Sequence, residues 1–148
     1  MAAAVAAGAA AADVEVVEHE GEPIELVEMI GATPELWIVD AVCSGAQAGS
    51  LHRLDAAAGR LPATLFGVST HRIGLADALE LARALGRLPP SVVVHGIEGR
   101  NFEPGRTLSA PVARAADRLA GILLDELAGR APAPADAAGP PPGAPRSG

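Results

Sequence analysis

Two stretches constrain this chain more than any other feature: "LWIVDAV" (36–42) and "SVVVHGIE" (91–98). Each is a nearly continuous apolar run rich in β-branched residues, the pattern of a strand buried on both faces. Such strands need a sheet with helices on either side. The intervening segments supply them. "PIELVEMI" (23–30) reads as a short helix, with Pro23 in its first turn and Gly31 as its C-terminal cap. "GLADALELARALGRL" (74–88) carries apolar residues at 75, 78, 79, 82 and 85, the spacing of an amphipathic helix. "SAPVARAADRLAGILLDELA" (109–128) is the clearest helix, with Val112, Ala115, Ala116, Leu119, Ile122, Leu123 and Leu127 on its apolar face. "VEVVEH" (14–19) and "SLHRL" (50–54) read as further strands. The Ala-rich residues 1–12 have good helix propensity and are expected to be helical.

Alternation of strands and helices predicts an α/β fold: a single domain with a twisted, mostly parallel sheet sandwiched between helices, over residues 1–128. Residues 129–148, Ala, Pro and Gly without periodicity, are expected to form a disordered tail. The chain has 148 residues, enough for one core. Its net charge is −7, and seven of its eighteen acids fall between Asp13 and Glu28, a stretch without Arg. The lack of a basic patch and the scarcity of aromatic residues argue against nucleic-acid binding. No apolar run is long enough for a membrane span. A lone cysteine, Cys43, excludes an internal disulfide and fits a reducing, cytoplasmic setting.

In sheets of this class, ligands bind beyond the carboxyl ends of the strands. Asp40 and Glu98 close the two apolar runs at that edge. Asp40 reads equally as a ligand or as a carboxylate bonded to local backbone. His71, in "GVSTHRIGL" (67–75), precedes a helix N-terminus and suits a metal ligand or an acid/base group. An Asp/His pair is a usable metal pair but is short of the three protein ligands of a catalytic zinc-type site. Cys43 reads first as a small buried hydrophobe and second as a nucleophile with His71 as base. His95 reads as packed within the sheet, His52 as exposed and His19 as surface, and the acids of "EHEGEPIE" as a solvated edge.

The order of "VEVVEHEGEP", "IVDAV", "STHRIGLADALELA" and "GIEGRNFEPGRTLSAPV", running from about residue 13 to 127, resembles the hydrogenase maturation proteases. The resemblance implies an endopeptidase that removes the C-terminal extension of the nickel-iron hydrogenase large-subunit precursor once nickel has been inserted. It also implies a sheet sandwiched between helices. Nickel, carried by the precursor, would be contacted by the Asp of the "VDA" strand, here Asp40, by the His of the "S-x-H" loop, here His71, and by a carboxylate in an N-terminal glycine-rich loop. The chain shows neither the family's first strand nor such a loop and opens at what looks like the family's first helix, so the domain is expected to be N-terminally truncated, with that strand and that carboxylate ahead of residue 1. The resemblance leaves the general base open. Two other readings stand beside it. One is a catalytically inactive relative that only binds the precursor. The other is an unrelated α/β domain for a nucleotide or small acid, which the lack of a glycine-rich phosphate loop disfavours.

Overall fold

The computed structural model describes residues 2–7, 14–19, 23–66, 74–100 and 107–130. Its elements are β1 (Ala2–Ala7), β2 (Val14–His19), α1 (Pro23–Ile30), β3 (Glu35–Val42), β4 (Leu51–Asp55), α2 (Leu75–Ala84), β5 (Ser91–Glu98) and α3 (Ala110–Arg130). The strands form one sheet in the order β2-β1-β3-β5-β4.

The two apolar runs pair with each other, as their composition demands. β3 and β5 lie parallel in the register Leu36↔Val92, Ile38↔Val94, Asp40↔Gly96 and Val42↔Glu98. Both carry buried residues at successive positions, so both faces of these strands are covered. On one face Leu36, Ile38, Val92 and Val94 meet Leu26, Val27 and Ile30 of α1 and Leu75, Ala78, Leu79 and Ala82 of α2. On the other, Ile97 packs with Ala115 and Leu119 of α3. At about 25 cal/mol per Å² of apolar surface removed from water, this two-sided burial is the main force holding the layers together.

Two expectations change. The sheet is mixed rather than mostly parallel: among the described residues β1–β2, β1–β3 and β4–β5 are antiparallel, and only β3–β5 is parallel. A parallel step needs a crossover helix, which α2 supplies on the way to β5, whereas β4, reached from β3 through residues 43–50, lies at the sheet edge and pairs antiparallel with β5. Residues 2–7 are a strand, not a helix. Helix propensity is worth only tenths of a kcal/mol per residue, and here the segment pairs on both edges, with β2 and with β3. The other elements fall where periodicity places them, within a few residues at their ends. Leu85 lies past the end of α2 and is exposed. The chain turns there through Gly86, whose φ of 66° favours glycine. α3 extends to Arg130, and the proposed tail beyond it lies outside the described residues. No helix among the described residues is long and apolar enough to cross a membrane.

Candidate functional site

The site is built where β3 and β5 end side by side. Strand alternation sets its geometry: Asp40 and Val42 share the face of Leu36 and Ile38, and Gly96 and Glu98 share that of Val92 and Val94. β4 joins from the other side, with His52 opposite Gly96. Asp40, Gly96 and His52 thus form one row across three neighbouring strands.

Glu98 is the hub. Its side chain is 1% exposed. Oε1 accepts the backbone N–H groups of Ser44 (2.8 Å) and Gly45 (3.0 Å). Oε2 accepts the Ser44 hydroxyl (2.9 Å) and lies 3.1 Å from Nε2 of His52. Burial alone would raise the Glu98 pKa, but the bonds from Ser44, His52 and Gly45 outweigh it and hold the carboxyl below its ordinary range. The backbone adds to the clamp: Gly49 N–H donates to the Glu98 carbonyl (2.8 Å), and Glu98 N–H to that of Ser50 (2.9 Å). On its far side the same loop meets α3. Gly49 has φ 85°, and a Cβ there would stand 2.6 Å from the Pro111 carbonyl oxygen. Arg118 donates to the Gly49 carbonyl at 3.2 Å.

Asp40 differs. It is partly buried, and among the described residues its carboxylate accepts one bond, from the N–H of Ala41 at 2.8 Å. Burial raises its pKa, and the Ala41 bond only partly offsets this. The local backbone bond expected of a strand-end aspartate is present, yet it occupies one oxygen of two.

Sequence reasoning placed Asp40 at the carboxyl edge, and there it is. His71 lies outside the described residues, as does the rest of its loop, 67–73. It is three residues before Gly74, the N-cap of α2, which packs on the Asp40 face. Cys43 is exposed, not buried. It follows the strand on the opposite alternation to Val42, where neighbouring Ala41 is also exposed. His52 is bonded to Glu98 and about three-quarters covered rather than exposed, because its row faces the clamped loop. His19 is also largely covered rather than at the surface, with Nε2 3.9 Å from Oε2 of Glu25. His95 is packed in the sheet as expected, edge-on to Trp37. Of the acids in "EHEGEPIE", Glu18 and Glu25 are exposed, as expected of a solvated edge, and Glu20 and Glu22 lie outside the described residues. Ser44, His52 and Glu98 had no role assigned. The available signal was Glu98 itself, an acid ending a nearly continuous apolar strand.

The Ser44–Glu98–His52 cluster is not a nucleophilic triad. Its carboxylate stands between hydroxyl and imidazole, so the serine proton goes to Glu98 and the histidine cannot act as its base. Among the described residues no three His, Cys, Asp or Glu side chains come together to hold a metal.

A family model described as HycI, hydrogenase maturation protease, matches residues 4–126. The chain belongs to the hydrogenase maturation protease family. No curated protein matches it. Among solved structures, the hydrogenase maturating endopeptidase HybD from E. coli is similar, with a TM-score of 0.50 and 23% identity. The match covers 70% of this chain and 66% of HybD, and the two share a fold. Asp40 of β3, Ser44 of the loop that follows it, His52 of β4 and Glu98 of β5 all lie inside the matched residues.

Proposed function

We propose that the protein is a cytoplasmic endopeptidase that removes the C-terminal extension from the nickel-iron hydrogenase large-subunit precursor after nickel insertion. Asp40 and His71 contact the nickel, which belongs to the substrate. The observation that carries this reading is the family match over residues 4–126, joined to Asp40 near the carboxyl end of β3, whose carboxylate accepts one bond among the described residues. A half-buried carboxylate with an unoccupied oxygen gains from a cation, whereas one already saturated with donors does not. The metal would serve as a recognition tag and polarise the neighbouring peptide group.

The experiment is precursor trimming in vitro, followed by the mass of the large subunit. Nickel-loaded precursor should be cut and metal-free precursor spared. Asp40→Asn and His71→Ala should each abolish cutting while the thermal midpoint stays near wild type. Normal trimming by either variant, or efficient cleavage of metal-free precursor, removes the assignment. Binding of precursor without cleavage by the wild-type chain supports an inactive docking module instead.

A further inference from the structure

We infer that Glu98 is a positioning residue of the Asp40 site, holding His52 as its Nε2–H tautomer so that Nδ1 is left as a proton acceptor on the Asp40 face of the sheet. The inference deepens the endopeptidase reading and rests on it for its catalytic part. Hydrogen-bond bookkeeping around one carboxylate carries it. A carboxylate offers about four in-plane acceptor positions and no proton. The N–H groups of Ser44 and Gly45 can only donate, and they occupy Oε1. The Ser44 hydroxyl donates to Oε2, so the remaining bond, from His52, must also be a donation. Nε2 therefore carries the proton, and in the neutral ring Nδ1 is bare.

The loop clamp does not need this bond. Ser44 and Gly45 already tie residues 44–45 to Glu98, and β4 is already fixed by its ladder to β5. What the His52 bond adds is the orientation and tautomer of the ring. The location gives that orientation a use. His52 sits two strands from Asp40, about 9.5 Å between Cα atoms at ordinary strand spacing. The residue between them is Gly96. A Cβ on Gly96 would stand 2.8 Å from Cγ1 of Val42 and 3.4 Å from Cβ of His52, so the glycine lets both side chains close over β5. With 23% of its side chain exposed, His52 is open to a substrate laid along the row.

The test has an arm on the free protein and an arm on the reaction. Nitrogen-15 NMR of the full-length chain should show His52 protonated at Nε2 and not at Nδ1. Glu98→Gln keeps an oxygen for the loop N–H groups but presents an amide to the ring, and should move the proton to Nδ1. In precursor trimming, His52→Ala should lower kcat about 100-fold with KM little changed, the scale of one lost acid–base group. Glu98→Gln should lower kcat in the same direction with the fold intact. Protonation at Nδ1 in the wild type, or an unchanged tautomer in Glu98→Gln, overturns the positioning role. Wild-type trimming rates in His52→Ala overturn the catalytic part. If the wild-type chain cuts no precursor, the endopeptidase reading fails, and the tautomer alone decides what Glu98 does.

Discussion

Asp40 and Glu98 lie at the carboxyl-end halves of neighbouring parallel strands on one face of the sheet, yet their surroundings are opposite. Glu98 is saturated: backbone, hydroxyl and imidazole donors surround it, and its pKa is pulled down. Among the described residues Asp40 takes a single bond, from the next residue, and burial pushes its pKa up. A saturated buried carboxylate is part of the scaffold. One held in partial burial with too few donors stands ready for a proton or a cation. Position at the carboxyl edge alone does not separate these roles, whereas counting donors does.

Substitutions can break that contrast or sharpen it. The largest expected loss of stability is from Glu98→Ala, about 3 kcal/mol in denaturant melts, because several donors lose their acceptor at once. Gly96→Ala, in the row of Asp40 and His52, should cost about 2 kcal/mol, since the new methyl meets the stiff Val42 side chain. Ser44→Ala removes one of the donors to Glu98 and should cost about 1 kcal/mol. Asp40→Asn should change stability by less than about 0.5 kcal/mol at neutral pH. A cost for Asp40→Asn equal to that of Glu98→Ala would erase the distinction.

Titration distinguishes the two acids by sign. The depressed Glu98 pKa contributes stability above its ordinary value of 4.5, which is lost as pH falls through the lower folded value. The raised Asp40 pKa contributes in the other sense: it favours the fold below 3.8, and that contribution is lost as pH rises through the elevated folded value. Denaturant melts across this range should show Glu98→Gln with a shallower loss of stability on acidification than wild type. Asp40→Asn should show a steeper one.

The sequence made the middle of the sheet plain, because Leu36 to Val42 and Val92 to Ile97 have no alternative to double-sided burial. It misled at residues 2–7, where alanine's local preference for helix is weak beside pairing on two edges. It also placed Asp40 at the correct edge, but the Glu98 network could not be read from spacing. Ser44 and His52 reach Glu98 from 54 and 46 residues away, and only the register of three strands brings them together.

Those separations bear on how the molecule is made. The loop between β3 and β4 is anchored on one side by Glu98 and on the other by α3, through Arg118, which lies 69 residues beyond Gly49. As the chain leaves the ribosome, Asp40 and His52 emerge long before either anchor. The loop can be held on both sides only after α3 is synthesised and docked, so the site is among the last parts of the protein to become whole.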